Sequence, residues 1–265
     1  AKKEAAIATA KGAGFNVEKI NINSSGRRWE ISEDGSTLYQ PLSSIKGLGD
    51  AAIDEIMANR PFHKVEDLLF SEEISYSKLN KKALDVLCRA QALNSLVDER
   101  FTGLKHFWSA VCVDRPKIYK KIQKSHDKLA ENIVQYAPEG DFSDIEKIEY
   151  LTDLTGVFPM SLVVDDDLLQ DLENQGVPPI SEFDPDLVVC WFIPRKITER
   201  KTKKGKPYWI VDVTDSNSEM TAIKCWAVQE TDVIHLNRPY AAKLSYDDNW
   251  GFSTRSIKHA FKLLA

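Results

Sequence analysis

Cysteine is scarce in this chain, and long apolar runs are missing. The 265 residues include four cysteines, which stand far apart and show none of the short spacings of zinc ligands: Cys88, Cys112, Cys190 and Cys225. We find no signal peptide and no apolar run approaching the roughly 18 residues of a membrane-spanning helix. These absences predict a reduced, cytoplasmic setting with no membrane contact.

No catalytic set is recognisable either. The five histidines are scattered, and the chain contains neither a phosphate-binding loop that ends in Gly-Lys-Ser/Thr nor a nucleophile elbow. Asp165, Asp166 and Asp167 resemble a carboxylate cluster for two metal ions, but consecutive carboxylates diverge on a strand and on a helix alike. A helix that begins here explains them better, because acidic side chains stabilise a first helical turn. We therefore predict no catalytic residue and no metal site.

Charge is unevenly distributed along the chain. The net charge of −5 argues against a protein that coats nucleic acid through a uniformly basic surface. Residues 139–186 carry fourteen Asp or Glu and one Lys, a net of −13, whereas residues 195–206 carry seven Arg or Lys and one Glu, a net of +6. A local basic stretch can bind a polyanion even in an acidic protein. The pattern predicts a nucleic-acid contact near residues 195–206.

A glycine-containing turn precedes the first strongly helical region. Residues 45–49 read Ile-Lys-Gly-Leu-Gly and lead into an apolar run at helical spacing. Unpaired N–H groups at a helix N-terminus bind phosphate without reading a base, and a lysine adds a cation. We name Lys46, Gly47, Leu48 and Gly49 as a candidate DNA-binding site and refer to residues 45–49 as the first hairpin. The same residues also fit an ordinary turn between two helices.

The spacing and type of the apolar residues change along the chain and divide it into regions. A helix tail and a small hairpin around Asp34-Gly35 occupy residues 1–40, and helical periodicity dominates residues 41–112. A lysine-rich helix at 116–137, with Ile118 on its apolar stripe, opens a helical, acidic connecting region at 113–186. Residues 187–265 are rich in β-branched and aromatic residues. We expect four regions with these bounds.

The last region has the pattern of a small barrel. We predict five strands, at residues 187–193, 208–213, 220–226, 240–245 and 250–257. A helical piece is expected between the third and fourth strands, at 227–234. This order is that of an oligonucleotide-binding (OB) barrel, in which the basic stretch would form the loop between the first two strands, beside the binding face.

Cations and aromatic residues of the barrel are candidate contacts for single-stranded DNA. Side chains alternate along a strand, and Asp212 shares a face with Tyr208, so we place Trp209 in the core and Tyr208 on the surface, where it can stack on an unpaired base. Trp191 and Trp226 are further candidates for stacking, although a core position is favoured for each tryptophan taken alone. The candidate cations are Arg195, Arg200, Lys201, Lys203, Lys204 and Lys206.

Several short motifs follow one another in a characteristic order. After the helix tail and the small hairpin come residues 45–49, 59–68, 79–84, 150–158, 202–215 and 245–251. This ordered set resembles the DNA polymerase III alpha subunit of bacteria and covers nearly the whole chain. The resemblance implies the end of a fingers domain, a tandem helix-hairpin-helix region and an OB domain. The expected fold is therefore α+β and multidomain, with a mainly helical helix-hairpin-helix region followed by a five-stranded OB-fold β-barrel.

Departures from the family pattern refine what the resemblance implies. By resemblance, the catalytic carboxylates and their Mg²⁺ belong to a palm domain that this chain lacks, so the chain is not expected to polymerise alone.

A second hairpin at residues 90–92 has Gln91 where the family has glycine, which favours a structural role. Residues 65–70 are similar in composition to a sliding-clamp motif, yet they stand where the family has an ordinary helix. Related hairpins hold a monovalent cation through backbone carbonyls, so such a cation is the one cofactor to consider at the first hairpin.

These features predict a DNA-binding region of a DNA polymerase III alpha-like protein, either a fragment or a separately encoded piece. The first hairpin would bind the duplex backbone, and the OB barrel would bind the single-stranded template. The alternative is a protein-interaction scaffold that docks onto a separate polymerase catalytic portion or a sliding clamp, because the acidic region repels DNA. An enzyme in its own right, such as a small nuclease, is disfavoured because no ligand set is present.

Overall fold

The computed structural model describes residues 2–117, 122–217 and 220–264. The chain forms two compact units: residues 9–158 make up one, and residues 159–265 together with residues 1–8 make up the other. Ile118 of the predicted lysine-rich helix lies outside the described residues. The later part of that predicted helix is present as Ile122–Tyr136.

Helices dominate the first unit, and strands dominate the second. The helices of the described residues are α1 (Lys2–Gly12), α2 (Asp50–Asn59), α3 (Val65–Phe70), α4 (Lys81–Arg89), α5 (Leu104–Phe107), α6 (Ile122–Tyr136), α7 (Asp144–Thr155), α8 (Asp166–Asn174) and α9 (Ile257–Ala260). Their strands are β1 (Asn16–Glu18), β2 (Glu30–Ile31), β3 (Thr37–Tyr39), β4 (Val189–Lys201), β5 (Pro207–Thr214), β6 (Thr221–Cys225), β7 (Tyr240–Lys243), β8 (Ser245–Asp247), β9 (Gly251–Thr254) and β10 (Phe261–Leu263). Short 3-10 turns lie at Leu42–Ser44, Asn94–Leu96 and Ile180–Glu182, and a π-helical segment, Trp108–Val113, continues α5.

The small hairpin predicted near residue 34 is confirmed. Strand β2 pairs antiparallel with β3, and β1 adds to the other side of β3 in parallel. Gly35 has a φ of +72°, a left-handed conformation that glycine adopts without steric cost. The Asp34 carboxylate accepts hydrogen bonds from the hydroxyl of Ser32 and from the N–H and hydroxyl of Ser36, and these lower its pKa to about 2. The turn is therefore set by local chemistry.

Side-chain caps explain where several helices begin. Asn80 caps α4, and Ser143 and Glu146 form a reciprocal capping box at α7. The Asp165 Oδ1 accepts the Leu168 N–H at 2.9 Å at the start of α8. Caps of this kind contribute about 1 kcal/mol each. The prediction that the three consecutive aspartates begin a helix is confirmed.

Helices α2 and α4 contribute apolar faces to the core of the first unit. Ile53 and Ile56 of α2 and Leu84 and Leu87 of α4 are buried in one cluster. Burial of a side chain of this size stabilises a fold by about 1.5–3 kcal/mol. Met57, the residue after Ile56, is exposed, because each residue turns about 100° further round the helix.

The strands after residue 188 form a curled sheet. Among the described residues its order is β10-β7-β4-β5-β6-β9-β8. Strands β4, β5 and β6 pair antiparallel in sequence, whereas β6 pairs parallel with β9. Only Leu244 separates β7 from β8, so one bent segment pairs with β4 through its first half and with β9 through its second. The predicted fold class, a helical region followed by an OB-like sheet, is confirmed.

The helical piece predicted at residues 227–234 is wrong. These residues form turns and irregular backbone. Ala227 has a φ of +53°, which is incompatible with a right-handed helix. The Asp232 carboxylate accepts the Gln229 N–H at 2.8 Å, and such local contacts compete with helix formation. Ile234 packs in the core of the sheet instead.

Alternation along the strands sets the core of the second unit. Phe192 of β4, Val211 and Val213 of β5, and Ile223 and Cys225 of β6 are buried in one cluster. The residues between them project from the other face of the sheet. This alternation positions the candidate binding side chains.

Candidate nucleic-acid interface

The first hairpin needs only one of its two glycines for its backbone conformation. Gly47 has a φ of +89°, whereas Gly49 has a φ of −79° and is the N-cap of α2. A Cβ at Gly49 would meet nothing within 4 Å, so the backbone there faces open space. Leu48 is buried in the core, so only its backbone can contact a ligand. The buried leucine anchors the turn while its neighbours stay exposed.

Some backbone N–H groups at the first hairpin and the start of α2 form hydrogen bonds within the unit, and others have no partner among the described residues. Lys46 donates its N–H to the Leu154 carbonyl at 2.7 Å. Within the described part of the chain, the N–H groups of Gly49, Asp50 and Ala51 have no hydrogen-bond partner, and all three residues are exposed. These donors stand at the positive end of a ten-residue helix. They form a geometry that accepts a phosphate oxygen.

Acidic residues next to the first hairpin form ion pairs with one arginine. Asp50 and Asp54 lie on the first two turns of α2, where unpaired carboxylates would repel phosphate. The Arg27 guanidinium donates to both. The hydrogen bond to Asp54 and the charges of both carboxylates raise the Arg27 pKa. Arg27 was not among the predicted site residues, because no sequence pattern connects it with a helix 23 residues later.

A second cation lies beside the same turn. The Lys82 side chain passes Gly47, since its Cε would be 4.0 Å from a Cβ built there. Lys82 and Lys46 are both exposed. Lys82 was not among the predicted site residues, because it belongs to α4 and meets the first hairpin only through helix packing.

The second hairpin is part of the core. Gln91 has a φ of +62°, the conformation that favours glycine. Ala90 and Ala92 are buried, and the Ala92 carbonyl accepts the Ile22 N–H at 2.9 Å. With its small residues buried and its carbonyl occupied, this turn has the structural role expected of it.

The basic stretch is more ordered than predicted. Strand β4 continues to Lys201, so the expectation of a loop over residues 195–206 is wrong for its first seven residues. They form strand because β5 supplies a pairing partner, with Arg200 opposite Tyr208. The turn itself is residues 202–206, which we call the basic turn. Its lysines, Lys203, Lys204 and Lys206, are exposed.

The register of the strands brings aromatic and cationic side chains onto one face. Directly opposed residues project to the same side of a sheet. Arg200 lies opposite Tyr208, and the Tyr208 ring stacks on Trp226 at 4.7 Å between centroids and 30° between planes. The alternation of β6 puts Lys224 on the same face as Trp226.

Trp250 completes this face from the turn between β8 and β9. The Lys224 Nζ donates to the Trp250 carbonyl at 2.9 Å and lies 5.1 Å from the centre of its ring. The Trp250 side chain is 68% exposed. We call Arg200, Tyr208, Lys224, Trp226 and Trp250 the basic sheet face. Lys224 and Trp250 were missed, although the alternation of β6 already separates Lys224 from the buried Ile223 and Cys225.

Other predicted barrel contacts lie elsewhere. Trp191 is only 2% exposed, so it lies in the core, the position favoured for it, and is not available for stacking. Trp209 packs against the core cluster, as predicted. Arg195 is half-buried at an irregularity in the β4–β5 register. Burial lowers its pKa, while the charge of Glu4 acts in the opposite direction. Arg195 therefore lies apart from the basic turn.

Residues 65–70, the segment similar to a clamp motif, pack into the core of the first unit. It forms α3, with Val65, Leu68 and Leu69 buried. The Asp67 carboxylate accepts the N–H groups of His63 and Lys64 and so caps the helix. These apolar and acidic side chains already have partners within the unit.

None of the helices in the described ranges is both long and apolar enough to cross a membrane. No group of three or more His, Cys, Asp or Glu side chains there has an arrangement that could hold a metal ion.

Comparisons with known proteins agree with the resemblance seen in the sequence. The family model for the helix-hairpin-helix motif matches residues 14–103, which include both hairpins. The chain is 28% identical over 109 residues to the DNA polymerase III subunit alpha of Pseudomonas aeruginosa, a match that covers 40% of this chain and 9% of that protein.

Two further relatives carry the same name. The Borreliella burgdorferi protein is 29% identical over 153 residues, covering 55% of this chain and 12% of the relative, and the Caulobacter vibrioides protein is 35% identical over 95 residues, covering 34% and 8%. The chain thus matches about a tenth of the length of these relatives. The resemblance to the DNA polymerase III alpha subunit is confirmed over these segments.

Proposed function

We propose that this chain is a DNA-binding region of a DNA polymerase III alpha-like protein. The observation that carries the proposal is that the first hairpin, with its exposed and unpaired N–H groups, lies inside the segment matched by the helix-hairpin-helix motif. The helix-hairpin-helix region would bind the duplex backbone, and the OB-like sheet would bind the single-stranded template.

Duplex binding at the first hairpin would be independent of base sequence. The N–H groups of Gly49, Asp50 and Ala51 would donate to a phosphate oxygen, with Lys46 and Lys82 supplying positive charge. Phosphate contacts position a protein on DNA without reading bases. The Arg27 ion pairs support this role by offsetting part of the negative charge of the two carboxylates of α2. A monovalent cation at this hairpin stays a prediction.

Single-strand binding on the basic sheet face would combine stacking with charge. Tyr208, Trp226 and Trp250 offer aromatic surfaces, each of which contributes about 1–3 kcal/mol when a base stacks on it. Arg200 and the lysines of the basic turn would track the phosphates along the strand. Such a combination binds single strands with little sequence preference.

Catalysis would require portions outside this chain. Its matches span only 8–12% of each relative, and nucleotidyl transfer with Mg²⁺ would come from a palm domain by resemblance. We place the chain in the cytoplasm with the replication proteins it resembles. A contact with the polymerase catalytic portion or with a sliding clamp stays a prediction.

The test is fluorescence anisotropy of labelled single-stranded, duplex and primer-template DNA, titrated with the chain at several salt concentrations. We expect salt-dependent binding that is tightest on primer-template, because that substrate engages both surfaces. An absence of binding near physiological salt would overturn the proposal. It would favour the alternative of a protein-interaction scaffold, for which the acidic residues 139–186 are the supporting feature.

A further inference from the structure

A pocket of about 370 Å³ opens in the second unit with walls of three aromatic rings. Phe183 and Phe252 meet edge to face, with centroids 5.1 Å apart and planes at 88°. Tyr246 packs against Phe252 at 4.9 Å and lies 6.4 Å from Phe183. We call this the aromatic pocket. Its size suits one large side chain rather than a long ligand.

The aromatic pocket is distinct from the basic sheet face. Phe252 is opposite the buried Ile223 in the β6–β9 pair, so its ring projects to the inner side of the sheet. Lys224 and Trp226 project to the outer side by alternation. A ligand in the pocket therefore occupies the inner side, and DNA on the basic sheet face occupies the outer one.

One wall of the pocket is held by hydrogen bonds. The buried Asp215 accepts the Ser181 N–H at 2.7 Å and the Asn217 N–H at 3.0 Å. The Asn217 amide in turn donates to the Ser181 hydroxyl at 2.9 Å and to Glu182 at 3.0 Å. These bonds fix the segment that carries Phe183, so the cavity exists before a ligand binds. A preformed site avoids the entropy cost of ordering on binding.

One segment of the pocket wall is acidic. The charged residues directly next to Ser181, Phe183 and Pro185 are Glu182, Asp184 and Asp186. All three are exposed. This acidic rim repels phosphate and anionic lipid and attracts a cationic ligand.

Tyr246 lines the pocket and is 48% exposed. Tyrosine is enriched in binding surfaces because it offers a large rigid area at low entropic cost. An apolar cavity with an exposed tyrosine and a polar rim has the anatomy of a small protein-binding hot spot.

We propose that the aromatic pocket binds one bulky apolar side chain, aromatic or branched aliphatic, on a lysine- or arginine-rich segment of a partner protein. The apolar side chain fills the cavity against Phe183, Tyr246 and Phe252, and the flanking cations lie along the acidic rim. This inference is independent of DNA binding. It gives the chain a protein-docking surface on the side of the sheet opposite the proposed DNA contacts.

The test uses the full chain and a fluorescein-labelled peptide with a central phenylalanine and two lysines on each side. One control peptide has glycine at the centre, and a second has glutamates in place of the lysines. We expect anisotropy to saturate with the first peptide and Kd to be at least about 10-fold weaker for each control.

Variants locate the site on the chain. Tyr246→Ala should weaken peptide binding about 10-fold by removing one wall, and Thr221→Trp, at another lining residue, should do the same by filling the cavity while leaving the three aromatic rings in place. Glu182→Lys combined with Asp186→Lys should transfer the preference to the glutamate peptide. Trp250→Ala, an exposed aromatic on the opposite face, is the matched control and should leave peptide affinity unchanged. Circular dichroism confirms that each variant is folded.

Three results would overturn the proposal. Equal affinity for the glycine-centred peptide would mean that charge alone causes binding. Unchanged affinity in both folded pocket variants would place the peptide elsewhere. Displacement of the peptide by a ten-nucleotide oligo-dT would mean that the pocket belongs to the DNA surface.

Discussion

The rings of Tyr208 and Trp226 stack on neighbouring strands, with centroids 4.7 Å apart and planes at 30°. Tyr208 lies opposite Arg200 in the β4–β5 pair, and Trp226 directly follows the last residue of β6. An aromatic pair beside a cation provides both a stacking surface and a phosphate contact. Each part of this arrangement can be removed separately.

Removing the stacking surface should weaken single-strand binding. We expect Tyr208→Ala and Trp226→Ala each to raise Kd for oligo-dT by about 5- to 100-fold, because one stacked base is worth about 1–3 kcal/mol. Anisotropy measures the change. Tyr246→Ala is the matched control, since Tyr246 is also half-exposed on the same sheet but lies on its inner side. Equal losses in control and test variants would contradict the assignment.

Neutralising the basic turn should change the salt dependence of binding. In the triple variant Lys203→Gln, Lys204→Gln, Lys206→Gln, the negative slope of log K against log salt for single strands should become less steep by about 2, because each phosphate contact contributes about 0.7. The control is a second triple of exposed lysines, on β7, α9 and β10: Lys243→Gln, Lys258→Gln, Lys262→Gln. A slope that is the same in both triples would exclude the basic turn from the site.

The two glycines of the first hairpin should respond differently to substitution. Gly47→Val should destabilise the first unit by about 1 kcal/mol or more, because its φ of +89° is unfavourable for a branched residue. Gly49→Val has no such strain and has room for its side chain, yet it should weaken duplex binding several-fold by shielding the N–H groups of α2. Urea unfolding and duplex anisotropy separate the two effects. Full duplex affinity in Gly49→Val would remove these groups from the interface.

The role of Arg27 can be tested by a double-mutant cycle. Arg27→Gln leaves Asp50 and Asp54 without their partner and should weaken duplex binding, because free carboxylates would face the phosphate. Adding Asp50→Asn and Asp54→Asn should restore most of the loss. If Arg27 contacted the phosphate directly, the loss would persist in the triple variant. Duplex Kd at low salt is the measurement, since surface charges are least screened there.

Acid should weaken the first unit through Glu55. The carboxylate is buried and accepts the Ser75 N–H at 2.6 Å and the Lys78 ammonium at 2.9 Å. Chiefly the Ser75 bond, and then Lys78, hold its pKa below the ordinary value of 4.5. A lowered folded-state pKa contributes stability that is fully present above the unfolded value and is lost as the pH falls through the folded one.

The comparison of Glu55→Gln with the native chain tests whether the stability that Glu55 contributes is lost toward acid pH. The variant should be less stable in urea at neutral pH, and the difference should shrink as the pH falls below about 4.5. Asp153→Asn on α7 of the same unit is the control, because Asp153 is an exposed carboxylate. A difference that grows toward acid pH would contradict the assignment.

Much of the fold could be predicted because its signals are local. The alternation of Tyr208 and Trp209 correctly separated the surface residue from the core residue. The three consecutive aspartates correctly marked the start of α8, since a cap depends only on residues three apart. The wrong prediction of a helix at residues 227–234 has a physical cause as well. Ile234 packs in the sheet core, and this tertiary packing overrides the weak helical preference of the segment.

The amino-acid sequence by itself determined the helical first part, the β-rich last part, the glycine turn before α2 and the basic turn. These features follow from periodicity, turn chemistry and charge, which act between residues that are close in the chain. Only the tertiary structure decided that Arg27 meets Asp50 and Asp54, that Lys82 meets Gly47, and that Lys224 lies under Trp250. It also decided that Phe183, Tyr246 and Phe252 enclose one pocket. Such contacts depend on strand register and helix packing, which are set by the burial of the whole core and have no short-range signature.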